Sequence, residues 1–215
     1  MISVITGDII NSRSVVDQNL WLQPLKQALD FVTKDASRYE IFRGDSFQLE
    51  IEDAKTTFKK AIYIKACIKS IKGFDVRLAI GLGHKTYNAQ GVSESNGPVY
   101  LNSGSMLDAM KQNKINLSLK SDIKNESSAY NFDTIFNLYF RFASIIMDNW
   151  TVNSAEAVKL LIETDYGNQK EIAKQIGINQ DAVSKRLTRA NIDEILELNN
   201  LYEKHITALT TKNLS

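Results

Sequence analysis

The 215-residue chain predicts an α+β protein in two parts, an N-terminal α/β sandwich followed by an all-α unit built on two short helices and a turn. Three observations predict it. Ile2 to Ile10 is a β-branched run interrupted only by Gly7-Asp8. Strand, helix, hairpin, helix and strand patterns then follow one another as far as Leu82. Near the C-terminus, Ile172, Ala173, Ile176, Ile178, Val183 and Leu187 keep the apolar register of two helices packed across Gly177.

In chain order, the first strand ends by presenting a carboxylate, and a helix follows from about Leu20 to Lys34, where Leu22, Leu25, Leu29 and Val32 recur at helical spacing. Glu40 to Arg43 and Ser46 to Ile51 read as a hairpin about Gly44-Asp45, a dipeptide suited to a tight turn. Phe58, Ile62, Lys65 and Lys69 trace the next helix, and Asp75 to Leu82 the next strand. A glycine-punctuated stretch leads to a helix over Val99 to Met110, and Ile115 to Leu119 alternates like a final strand. Ser121 to Ser128 is a polar connection, and an aromatic-rich helix from Phe132 to Trp150 joins the two units. The expected domains are residues 1–130, a connecting helix over 131–153, and a helical unit over 154–215.

Composition narrows the function classes. A 43% hydrophobic and 24% charged chain is an ordinary globular one. No apolar run approaches a membrane span, and the opening residues lack a signal-peptide pattern, so the expected location is the cytoplasm, with no membrane partner. The single cysteine, Cys67, excludes an internal disulfide framework, and two histidines leave any metal to carboxylates. A net charge of +1 argues against coating nucleic acid nonspecifically, so local charge must carry any DNA argument.

That local charge lies in NQKEIAKQIGINQDAVSKRLTRA, residues 168–190. Lys170, Lys174, Lys185, Arg186 and Arg189 outnumber Glu171 and Asp181 there. Gly177 suits a left-handed helix end and Asn179 an N-cap. The second helix then offers Gln180, Asp181, Ser184, Lys185, Arg186, Thr188 and Arg189 to double-stranded DNA, with Gln and Ser for base edges and Lys and Arg for phosphates. An ordinary helical hairpin with a solvated charged side is the alternative. The segment resembles the helix-turn-helix of bacterial transcription regulators and sigma factors, with Ala155 to Glu163 as the supporting helix. Beyond it, Ile192, Ile195, Asn199, Tyr202, Ile206 and Leu209 form a stripe suited either to a second copy of the chain, as a homodimer, or to its own domain.

Asp8 and Asp45 would meet at one sheet edge, a geometry that suits Mg²⁺ or Mn²⁺, or each stabilises a glycine turn. Arg13, Arg43, His84 and Lys85 are candidate contacts for a phosphorylated ligand such as a nucleotide. ITGDIINSR, FRGDSFQ and RLAIGLG resemble elements of class III nucleotide cyclases and their palm-like relatives. That resemblance implies a ferredoxin-like sandwich with metal ions at Asp8 and Asp45. Where that family has its transition-state Asn and Arg, this chain has Asn102 and then Met106, so the reading leans away from an active enzyme and leaves the catalytic residues unassigned. TGDI, RGDSFQ and the terminal VSKRL together resemble the SatD family over nearly the full length, implying a cyclase-like domain joined to a DNA-binding-like one. The expected function is a DNA-binding transcriptional regulator whose N-terminal part senses a nucleotide; a metal-dependent nucleotidyl-transfer enzyme and a protein-interaction module are the alternatives.

Overall fold

The computed structural model describes residues 1–42, 44–123 and 131–212. The chain is a mixed α+β protein with one five-stranded mixed sheet and, among the described residues, eight α-helices. Strand β1 (Ile2–Ile10) is central, flanked antiparallel by β3 (Ser46–Ile51) and β4 (Asp75–Gly83). The strand β2 (Tyr39–Phe42) pairs with β3 as the hairpin the sequence predicts. On the other edge β5 (Leu117–Ser121) runs parallel to β4, which requires a helical crossover. The strand order is β2-β3-β1-β4-β5.

The two-residue period of each strand sorts its side chains into two layers. Ile5, Ile9, Phe47, Leu49, Val76, Leu78 and Ile80 pack against α1 (Asn19–Thr33) and α2 (Thr57–Lys69) through Trp21, Leu25, Leu29, Phe58 and Ile62. The opposite face carries Val4, Thr6, Asp8 and Ala79 and is covered by α3 (Pro98–Asn113). This helix lies directly on Gly81, where an added Cβ would stand 2.1 Å from the Val99 carbonyl oxygen and 2.7 Å from the Ser103 nitrogen. Both are backbone atoms, so Gly81→Ala is expected to cost about 3 kcal/mol in urea unfolding. Gly104→Ala on the same helix meets open space and is expected to gain about 0.5–1 kcal/mol by helix propensity; similar effects at the two sites would contradict the packing.

The final strand begins at Leu117 rather than at the expected Ile115. Lys114 ends α3 in the left-handed conformation, and Asn116 spends its carbonyl on the Leu78 nitrogen and its side chain on Asp148, so the ladder forms two residues later. Similarly, β2 runs from Tyr39 to Phe42 rather than from Glu40, and Arg43 lies outside the described residues. Most of the polar connection at Ser121 to Ser128, and the expected boundary at residue 130, also fall outside them.

α4 (Phe132–Asp148) lies along β5, where Asn137 bonds the Leu119 backbone on both sides and Asp133 takes the Ser121 hydroxyl and nitrogen. Its C-terminus closes a buried ion network. Lys65 of α2, 2% exposed, sits between Asp75 at 2.5 Å and Asp148. Asn116 and Ser144 donate to the other oxygen of Asp148, and Lys69 donates to its carbonyl. A lysine at a position the helical pattern assigns to an amphipathic helix is therefore a core ion that ties α2, β4 and α4 together.

α5 (Val152–Glu163), α6 (Gln169–Ile176) and α7 (Gln180–Arg189) form a compact three-helix group around Val158, Leu161, Ile172, Ala173, Val183 and Leu187. The last helix, α8 (Ile192–Lys212), returns to the sheet layer. Tyr202 is fully buried among Phe58, Phe136 and Phe140, and its hydroxyl donates to the Ala54 carbonyl at 3.1 Å. The stripe of Ile192, Ile195, Asn199, Tyr202 and Ile206 is thus buried within its own chain, and Leu209 packs on the same core. It offers no seam to a second copy. Among the described residues no helix is long and apolar enough to cross a membrane.

Candidate functional site

Two surfaces gather polar groups beyond what folding requires. The first is the α3-side face of the sheet. Asp8, 8% exposed, is held by Arg77 Nη1 at 3.1 Å and Lys111 Nζ at 3.0 Å, and Ser46 Oγ donates to it at 3.3 Å. Asp45 accepts from the Ile9 nitrogen through its carbonyl at 3.0 Å and from Ser12 Oγ through its carboxylate at 2.5 Å. The two aspartates therefore stand at the same end of the sheet, as the sequence suggested. Among the described residues no group of three or more His, Cys, Asp or Glu side chains is placed to hold a metal ion. With both oxygens of Asp8 already on cations, Mg²⁺ or Mn²⁺ at this carboxylate would compete with Arg77 and Lys111. Asn102 is buried and donates to the Leu82 carbonyl, and Met106 packs beside Leu107 and Met110.

Further along the same face, Glu50 is bound by Arg38 at 2.6 Å, by Lys85 at 2.7 Å and by the Tyr100 hydroxyl. Thr6 bridges Gln48 and Ser103 between the Asp8 and Glu50 clusters. Burial pushes the Glu50 carboxyl up, but hydrogen bonds from Lys85, Tyr100 and Arg38 and the charge of Lys85 outweigh it and hold it below its ordinary value. A carboxyl depressed on folding stabilises fully above its unfolded pKa, roughly 4.3, and the contribution disappears as pH falls through the folded value. Wild type is therefore expected to exceed Glu50→Gln in stability at neutral pH. The gap should close below roughly pH 4 in acid titrations of unfolding; a pH-independent gap would contradict the ion-pair account.

The four expected ligand contacts do not converge. Gly83 pairs with Ile2 and Arg77 with Asp8, so His84 and Lys85 begin at the opposite end of β1 from Asp8, roughly 20 Å away at strand spacing. His84 is exposed and pairs with Asp122 at 2.7 Å. Lys85 turns inward to Glu50. Arg13 is exposed in a short 3₁₀ turn after β1, and Arg43 lies outside the described residues. The residues missed in the sequence are Arg38, Glu50, Arg77 and Lys111. The strand period placed Arg77 opposite Asp8 and could have found it; nothing local announces the other three. Cys67 is core, its thiol pushed up to about 12 by burial.

The second surface is the outer face of α7. Gly177 ends α6 at φ +73°, a conformation open to glycine at little cost, and Asn179 caps α7 by accepting from the Ala182 nitrogen at 2.8 Å. Gln180, Asp181, Lys185, Thr188 and Arg189 are exposed and Ser184 half-buried. Lys185 pairs with Asp181 one turn away, a solvated contact of about 0.3–0.5 kcal/mol that a stronger partner displaces. Arg186 differs from the sequence expectation of a phosphate contact: it turns inward to Glu156 of α5 at 2.8 Å. Trp150 Nε1 donates to the Ala190 carbonyl at 2.8 Å, anchoring the end of α7 to the corner between α4 and α5.

These features define a class: a mixed α+β protein with a capped pair of short helices, supported by a third, displaying a polar and basic outer face. The chain belongs to the SatD family, whose model matches residues 1–203. No curated protein and no solved structure matches it.

Proposed function

We propose that this chain is a DNA-binding transcriptional regulator whose α6 to α7 unit is a helix-turn-helix and whose sheet domain, cyclase-like in its β-α-β-β-α-β connectivity, senses a phosphorylated ligand. The observation that carries the reading is the outer face of α7: a helix capped at its start and packed through Val183 and Leu187, with Gln180, Ser184, Lys185, Thr188 and Arg189 left toward solvent. Such a face suits the major groove, with amide and hydroxyl groups for base edges and cations for the flanking phosphates. Asp45, Asp8, Arg77 and Lys111 mark the sheet end where the ligand acts. Binding of a short duplex followed against salt tests the DNA reading: affinity is expected to fall linearly on a log–log plot with a slope set by the phosphates contacted, about 0.9 per contact. Salt-insensitive absence of duplex binding would make α7 a protein contact instead.

A metal-dependent nucleotidyl-transfer enzyme is the second reading, favoured by Asp8 and Asp45 standing at one sheet end. It ranks lower because Arg77 and Lys111 occupy Asp8 and Met106 stands where a transition-state cation is needed. Mn²⁺-dependent turnover of a nucleoside triphosphate, abolished by Asp8→Ala, would reverse the order.

A further inference from the structure

A cleft of about 660 Å³ opens at the end of the sheet, between the start of β4, the end of α3 and the corner joining α4 to α5. Three cations line it: Lys69, Arg77 and Lys114. The Lys114 backbone N–H caps α3 on the Met110 carbonyl, and its ammonium has no hydrogen-bond or ion-pair partner among the described residues. Arg77 spends one Nη on Asp8, while its Nε is buried without an acceptor. Lys69 donates to the Asp148 carbonyl at 2.7 Å and stands 3.6 Å from Asp75. Among the described residues the one carboxylate in the lining, Asp75, is already bound at 2.5 Å by the buried Lys65. The cleft therefore carries surplus positive charge, which an anion such as a phosphate would neutralise. Its volume exceeds that of inorganic phosphate and lies in the range of small-molecule sites. Trp150 and Phe74 in the lining give such a ligand an apolar wall.

The same lining reaches α7. Trp150 faces the cleft and donates its indole N–H to the Ala190 carbonyl at the end of α7, and Thr151, also in the lining, caps α5 by accepting from the Ser154 nitrogen. A ligand seated here touches the residue that anchors the DNA-facing helix.

We propose that the cleft where Lys69, Arg77 and Lys114 converge beside Trp150 is an effector site for a small phosphomonoester such as a mononucleotide, with Trp150 coupling its occupancy to α7. The coupling rests on the regulator reading; the binding does not. A ligand shifts DNA affinity only through a difference in its own affinity for the two states of the protein.

The test uses the full chain with Trp21→Phe, which leaves Trp150 as the sole tryptophan and removes a buried indole N–H that has no partner. Inorganic phosphate and adenosine monophosphate are titrated by calorimetry and by Trp150 emission. Saturable binding is expected, tighter for the nucleotide and at least tenfold weaker in Lys114→Glu, an exposed change at the end of α3 that leaves the buried core intact. No saturable binding of either probe, or binding indifferent to both Lys114→Glu and Lys69→Gln, would overturn the site. Duplex affinity measured with and without the nucleotide tests the coupling, and an unchanged value in a protein that binds both overturns that part. Failure to bind any duplex would fall on the regulator reading, and the titration would stand by itself.

Discussion

Lys65→Met is expected to lower the free energy of unfolding by about 3–5 kcal/mol, the range for removing one partner from a buried ion pair. The ammonium is 2% exposed and serves Asp75 and Asp148 at once, while Asn116, Ser144 and Lys69 all bond Asp148 in the same cluster. Methionine preserves the stem's packing, so the loss isolates the charge: two carboxylates remain, 15% and 32% exposed, with their shared cation gone. Urea unfolding at neutral pH measures it. A loss under about 1 kcal/mol would mean that water reaches both carboxylates and that the network contributes little. A concurrent drop in phosphomonoester binding is expected, since Lys69 and Asp75 line the cleft.

The second large effect concerns DNA. Lys185→Ala/Arg189→Ala removes two exposed cations from the outer face of α7, and duplex affinity is expected to fall at least tenfold while the log–log salt slope drops by about 1.8. The melting temperature should hold, because the Arg189 guanidinium has no partner among the described residues and the Lys185–Asp181 pair is solvated. Arg186→Ala is expected to behave in the opposite way. Its guanidinium holds Glu156 across to the supporting helix at 18% exposure, so the substitution loosens the three-helix group by about 1 kcal/mol and leaves the salt slope nearly intact. Equal effects of the two variants on the slope would show that Arg186 leaves Glu156 for a phosphate in the complex.

The strands and helices were legible because each writes its period into the sequence. Ile5, Ile9, Phe47, Leu49, Leu78 and Ile80 are the alternate apolar residues of three adjacent strands, and Ile172, Val183 and Leu187 could pack only across a turn at Gly177. Asp8 and Asp45 were legible as neighbours because a hairpin following a central strand brings them together. The partners of the polar groups were not, since Lys111, Arg38 and Lys65 reach Asp8, Glu50 and Asp148 across 103, 12 and 83 positions of sequence, and only tertiary packing makes those pairs. For the same reason His84 and Lys85 looked like companions of Asp8 until the β1–β4 register set them at the other end of the sheet. The stripe on α8 had two valid uses by period alone, and the aromatic cluster around Tyr202 decided between them.

Enrichment of genomic DNA fragments by wild type and by Lys185→Ala/Arg189→Ala, at two salt concentrations, tests the central claim most directly. Selective recovery of particular fragments by wild type, weakened by salt and lost in the variant, is the predicted result. Recovery of no fragment above background by the folded wild-type protein would contradict it.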